Sequence, residues 1–204
     1  MANTREIRRR IRSVQSTAKI TNALQLVAAS KMRRAQMAMM SGRPYSAKIK
    51  EVIGHLAGQS KDQQEQLHPL LSVREANSIE IIHLTPDRGL CGGLHSNLNR
   101  RTAQFMLENQ QLPVTLITVG KKGRDFMTRY GKKLKAVFMD MGDRPALTDV
   151  LPISHMAIED YTSGNVDEVY ITYPQFVSVM EQRVVMQRLL PVVNMTKAKG
   201  ISSS

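Results

Sequence analysis

Tryptophan is absent from this 204-residue chain, aromatic residues make up only 4% of it, and there is one cysteine, Cys91. A single cysteine excludes an intrachain disulfide, and a reducing compartment fits. No run without a charged residue exceeds about 12 positions, too short for a helix to span a bilayer. The first residues lack the apolar core of a secretory signal. Their Arg-rich amphipathic character is also that of an organellar transit peptide, but the apolar pattern described below runs straight through them, which sets that reading aside. Acidic residues are scarce at one end: among residues 1–50, Glu6 stands alone against twelve Lys and Arg. The remaining 154 residues carry 17 basic side chains against 16 acidic ones, so the net charge of +12 belongs almost wholly to the N-terminal quarter. Its surroundings are expected to be acidic: a protein surface, phosphates or anionic lipid.

That basic quarter has a pattern. Stepping alternately four and three residues from Ile7 gives Ile11, Val14, Ala18, Thr21, Gln25, Ala28, Met32, Ala35, Met39, Gly42, Ser46, Ile49, Ile53 and Leu56. Most of these are apolar or small, and none is charged. A repeat of seven residues keeps one stripe facing a partner along a helix, as in a coiled coil. The pattern predicts one helix from Thr4, capped by Asn3 or Thr4, to about Ala57, a rod of roughly 80 Å at about 1.5 Å per residue. Leu24, Leu26 and Val27 widen the stripe. Pro44 removes a backbone donor and predicts a kink rather than an end, since the seam continues past it.

Beyond it, 58–77 reads as a polar linker without periodicity, and 194–204 as a disordered tail. Between them the grammar is α/β. Short apolar runs at 78–85, 113–120, 134–139 and 167–173 are expected strands. Helices are expected from GLCGGLHSN to about Asn109, over 121–130 and over 147–163. The segment 184–193 is a further extended stretch, an antiparallel edge hairpin with 173–180. Strands alternating with helices predict a mostly parallel, Rossmann-like sheet over 78–193, covered on both faces, behind a long N-terminal coiled-coil helix over 1–57.

The loop Asp87–Gly93 follows the first strand, where such folds often bind phosphate, but its glycines at 89, 92 and 93 do not form G-x-G-x-x-G, and no G-x-x-x-x-G-K-[ST] occurs. It reads as a tight turn. Cys91 has no base placed beside it by a recognisable motif and reads as packing. His55, His68, His83, His95 and His155 show no metal-ligand spacing, and His83 falls inside a strand. Asp140, Asp143 and Asp149 read as turn and capping residues. A basic helix in a DNA groove is a real class. Here the seam runs through the basic part, which favours a protein partner.

The stretch KITNALQLVAASKMRRAQ (19–36) closely resembles the gamma subunit of F-type ATP synthases. REIRRRIRSVQSTAKIT (5–21), SGRPY (41–45) and VIGHLA (52–57) extend the likeness. LTPDRGLCGGLHSNL (84–98) and VYITYPQFVSVMEQ with LLP (169–191) resemble its later signatures. The resemblance implies a central-stalk rotor subunit that couples proton-driven rotation of the membrane ring to ATP synthesis. One copy per complex would sit inside the ring of alpha and beta subunits. The α/β domain would be a foot on the membrane rotor ring and an epsilon-type subunit. ATP chemistry would lie in the partners, with no catalytic residue, cofactor, metal or nucleic acid here. The location would be peripheral, on the cytoplasmic face of a bacterial inner membrane. Ring contact is expected at Arg8, Arg9, Arg12, Lys19, Lys31, Arg33 and Arg34. Helix pairing is expected at Ile7, Ile11, Val14, Ala18, Ala28, Met32 and Ala35. Family members continue into a C-terminal helix that pairs with the first, and the expected start of that helix lies at about Ser204. A nucleotide-binding α/β enzyme using the loop 87–93, or a basic-helix nucleic-acid binder, are the competing readings.

Overall fold

The computed structural model describes residues 4–59 and 68–192. The expected Asn3 cap, part of the 58–77 stretch and the 194–204 tail lie outside them, as does the Leu56 side chain. The chain divides into two units, Met1–Lys50 and Glu51–Ser204.

Helix α1 runs over Thr4–Gln59, with Pro44 inside it and no break there. Its sequence is rich in Ala, Leu, Met, Gln, Lys and Arg, the residues that lose least on entering a helix. The hydroxyls that would compete with the helix are turned back into it. Thr17 donates to the Ser13 carbonyl at 3.0 Å, and Thr21 to the Thr17 carbonyl at 2.9 Å.

The α/β unit comprises β1 (Ile79–Leu84), α2 (Leu94–Glu108), β2 (Val114–Val119), α3 (Lys121–Arg129), β3 (Leu134–Phe138), α4 (Leu147–Thr162), β4 (Glu168–Phe176) and β5 (Gln182–Leu190). The strands form one sheet in the order β3-β2-β1-β4-β5. β1 pairs in parallel with β2 and β4, β2 in parallel with β3, and β5 closes the edge antiparallel to β4. The order of the four parallel strands is that of one half of a doubly wound nucleotide-binding fold. β1, at the centre, is buried on both faces, which is why its sequence is a nearly continuous apolar run.

Two cores result. On one face Ile82, Ile117, Val119 and Val169 pack with Ile153, Ala157 and Tyr161 of α4. On the other, Ile79, Ile81 and Leu116 pack with Met106 of α2 and Met127 of α3. Ile81 and Ile117 are fully buried, so truncating either to Ala costs about 2–5 kcal/mol. On α4, Ile153, Ala157 and Tyr161 are buried, and Met156 is half-buried against the same core.

The segment after the short 3₁₀ turn Pro69–Leu71 is fastened to this body. Arg74 donates to the Tyr161 carbonyl at 2.6 Å and the Val166 carbonyl at 3.1 Å, and its guanidinium lies 4.5 Å from the Tyr161 ring centroid. The Tyr161 hydroxyl donates to the Ser72 carbonyl.

Candidate functional site

On α1 the seam and the seven cations expected at the ring fall on different arcs, with Arg10 inside the seam's arc and Leu26 and Val27 inside the cationic one. At about 100° per residue, the seam from Ile7 to Ala35 covers roughly 120° of the circumference. Arg8, Arg9, Arg12, Lys19, Lys31, Arg33 and Arg34 cover roughly 160° on the other side, without overlap. Every one of these cations is exposed. Arg34 spends donors on its own helix, bonding the Ser30 carbonyl at 3.3 Å and the Ser30 hydroxyl at 3.2 Å. Arg10 is paired with Glu6 at 3.1 Å.

The seam is just as open: Ile7 is 46% exposed and Val14 69%, and of the seam side chains described only Met39 and Ile53 are half-buried. A helix with this much apolar surface uncovered is built to be covered. Within it, the only carboxylates among the described residues are Glu6 and Glu51.

In the α/β unit, the loop Asp87–Gly93 is a clasp. The Asp87 carboxylate accepts from the backbone N–H of Lys121 at 2.8 Å and of Asp140 at 3.1 Å, tying together the ends of β1, β2 and β3. Left-handed backbone falls at Leu90 (φ 60°) and Gly92 (φ 59°), and Leu90 is fully exposed. Only Gly92 of the three loop glycines is required by its φ. Cys91 is half-buried, and its Sγ lies 3.5 Å from Nδ1 of His95. That neighbour, one helical turn on, was not flagged by any motif.

His83 is fully buried, as its place in a strand predicts. Its Nε2 is 2.8 Å from Asn99 Oδ1 and its Nδ1 is 3.0 Å from the Thr102 hydroxyl, which sits 3.0 Å from that of Thr172. Burial lowers its pKa, with the Asn99 bond opposing. The neutral ring therefore serves as a bridge between β1, α2 and β4. Among the described residues no cluster of three or more His, Cys, Asp or Glu is arranged to hold a metal ion. Asp149 Oδ2 accepts from the Ala146 N–H at 2.7 Å at the start of α4, and Asp140 occupies a left-handed turn position (φ 57°), the roles their sequence context suggests.

Sequence reasoning missed one charged cluster. Glu80, on the α4 face of β1, is fully buried, and so nearly is Asp160. Lys135 donates to Asp160 Oδ2, and Asn165 donates to Oδ1 at 3.3 Å. Burial, then the hydrogen bond and charge of Asp160, push the Glu80 carboxyl up to about 8, while its neighbours hold Asp160 below the usual carboxylate range. Neither Glu80 oxygen accepts a hydrogen bond. At neutral pH the Glu80 carboxyl is therefore largely protonated, with the Asp160 carboxylate nearby.

The sequence matches the ATP synthase family model over residues 3–204. It is 50% identical over 200 residues to the ATP synthase gamma chain of Dehalococcoides mccartyi, covering 98% of this chain and 70% of that one. The chain belongs to the ATP synthase gamma-chain family. Another member, from Roseiflexus sp., is 45% identical over 195 residues, covering 94% of this chain and 67% of that one. The chain thus spans about two thirds of the length of the curated relatives it matches. In three dimensions it is similar to a chain of the Tetrahymena thermophila mitochondrial ATP synthase central stalk and c-ring, with a TM-score of 0.68, 25% identity, and coverage of 84% and 72%.

The family role is that of the central-stalk rotor. The fold agrees with what the resemblance implies, a long helix and a mostly parallel sheet. No helix among the described residues is long and apolar enough to cross a membrane.

Proposed function

We propose that α1 is the shaft on which surrounding nucleotide-binding subunits read rotational position, and that it does so without chemistry of its own. ATP is made and hydrolysed in the alpha and beta partners. The α/β unit is the foot, facing an epsilon-type subunit and the membrane ring on the cytoplasmic side of a bacterial membrane, with protons as the driving ion. The observation that carries this reading is the division of one 56-residue helix into an uncovered apolar stripe and an uncovered cationic arc.

Each part has a mechanical task. The stripe, Ile7, Ile11, Val14, Ala18, Ala28, Met32 and Ala35, takes a second helix, and pairing stiffens the rod. The arc, Arg8, Arg9, Arg12, Lys19, Lys31, Arg33 and Arg34, meets acidic loops of the ring. Long cationic side chains follow a passing surface without locking to it, and surface charge pairs of about 0–1 kcal/mol each suit a contact that must break and re-form every turn.

The test is a triple charge reversal, Arg8→Glu, Arg9→Glu and Arg33→Glu, in the assembled complex. Coupling of ATP hydrolysis to proton pumping is expected to fall, with the complex still assembled. Unchanged coupling overturns the role of the arc. The competing enzyme reading is disfavoured because Asp87, in the position where a phosphate would be received, turns a carboxylate onto the neighbouring N–H groups.

A further inference from the structure

A groove of about 1090 Å³ lies between α2 and α3, on the face of the sheet away from α4. Its floor is apolar, with Met106 and Phe126, and the Phe126 ring packs tilted at 44° against that of Tyr130, 4.6 Å between centroids. Its walls carry Arg100, Lys122, Arg129 and Lys132, none of which has an ion pair among the described residues. The one carboxylate lining it, Asp125, is already matched: Arg124 donates to it at 2.9 and 2.6 Å. The groove is therefore cationic overall, with an apolar floor and with Leu107 and Tyr130 exposed at 69% and 66% on its rims.

We propose that this groove is a docking site for an acidic amphipathic helix of a partner chain. Its volume lies at the upper end of the range of about 300–1,000 Å³ usual for small-molecule pockets, and it is about half open to solvent. A trough walled by the 15-residue α2 and the 9-residue α3 suits the helix-in-groove mode, in which apolar residues at i, i+3/i+4 and i+7 fill the floor. Unpaired cations on both walls select carboxylates on the flanks of that helix and reject basic ones. Charge excludes the chain's own basic segments: residues 4–50 carry a single acid, and 194–204 contain Lys197 and Lys199 with no acid. The site is separate from α1 and does not depend on the rotor reading.

The probe is a 15-residue helical peptide of Glu and Leu in amphipathic order, carrying a photoreactive group, added to the full chain beside a scrambled peptide of equal composition. The ordered peptide is expected to bind at least tenfold tighter, to cross-link to α2 and α3, and to lose at least tenfold in that cross-linking with Arg100→Glu plus Arg129→Glu. Cross-links confined to residues 4–59, equal binding of the scrambled peptide, or indifference to the double variant overturns the proposal. So does binding of phosphatidylglycerol vesicles that the double variant abolishes while peptide cross-linking persists. The other internal candidate is α4, which offers the exposed Glu159 and the half-buried Asp149 and carries no Lys or Arg. Self-association of the chain that the double variant removes would assign the groove to a second copy and overturn the partner-chain reading.

Discussion

The Lys135 ammonium donates to the Asp160 carboxylate, joining an edge strand to a buried position on α4. The β2–β3 register explains how. It jumps from Leu116 opposite Leu134 to Ile117 opposite Ala136, leaving Lys135 as the extra residue of a bulge. In a regular strand Leu134 and Ala136, two residues apart, would share a face. Instead Leu134 packs in the α2/α3 core and Ala136 in the α4 core. A bulge re-aims side chains in this way. Replacing Lys135→Met should cost about 2 kcal/mol in urea unfolding, because Asp160 stays buried without its cation. The pair Lys135→Met plus Asp160→Asn should recover part of that loss. A fully additive double variant would show the two residues to be uncoupled.

Glu80 gives the fold an alkaline sensitivity. In the unfolded chain its carboxyl ionises near 4.5, and in the folded one only near about 8, chiefly through burial. The unfolded state therefore gives up the proton first. Stability falls as pH rises from about 4.5 to about 8 and levels off above, with a slope of at most about 1.4 kcal/mol per pH unit. Glu80→Gln should remove this slope. Thermal melts of the two proteins that stay parallel from pH 5 to 9 would show Glu80 to be ionised in the fold.

His83 acts at the acid end. Its pKa is lowered in the fold by burial, so the unfolded state takes up a proton first as pH drops below about 6.5. Stability contributed by the neutral ring is present above that value and lost below it. The pH dependence between 6.5 and 5 should flatten in His83→Gln relative to the parent, read from denaturant midpoints at half-unit steps.

Gly120 is held at φ 97°, and a Cβ there would lie 1.9 Å from the Thr85 carbonyl oxygen. No side chain fits without moving β1 from β2. Gly120→Ala should destabilise by at least about 3 kcal/mol. Gly131→Ala, at φ 68° but facing open space, should cost only about 1–2 kcal/mol. Comparable losses at both positions would show backbone strain alone to decide, not the clash.

On α1 the expectation is the reverse. Val14 and Met32 are 69% and 44% exposed, so Val14→Asp plus Met32→Asp should leave the melting temperature of the α/β unit within about 1 °C. Incorporation into the complex should drop severalfold if the seam is a pairing surface, as measured by co-purification. Full incorporation with normal coupling would show that nothing packs there.

Much of the architecture is legible in the residues, for physical reasons that differ from element to element. β1 and β2 are sandwiched between helices, so both of their faces must be apolar, and the runs show it. The helix α1 is legible because a seven-residue period survives fifty residues without a charge in it. Glu80 and His83 are visible only as two polar letters inside an apolar run. Their partners, Asp160 and Thr102, come from other elements, and no spacing rule links them. The bulge at Lys135 leaves no trace in hydropathy, since a Lys on an edge strand is ordinary. The clasp made by Asp87 hides behind the glycines of its loop, which draw attention to phosphate. The α2/α3 groove escapes because the charge of the last 154 residues nearly cancels as a sum, although it does not cancel locally.

The stripe on α1 repeats every seven residues while the helix turns every 3.6, so it slips by about 20° per repeat. It is thus a left-handed thread, and a second helix laid along it must wind the same way. A wound pair is not the same spring in both directions. Twist applied with the winding tightens the contact between strands, and twist applied against it prises them apart. A shaft built on such a thread has a preferred sense of load before any motor acts on it.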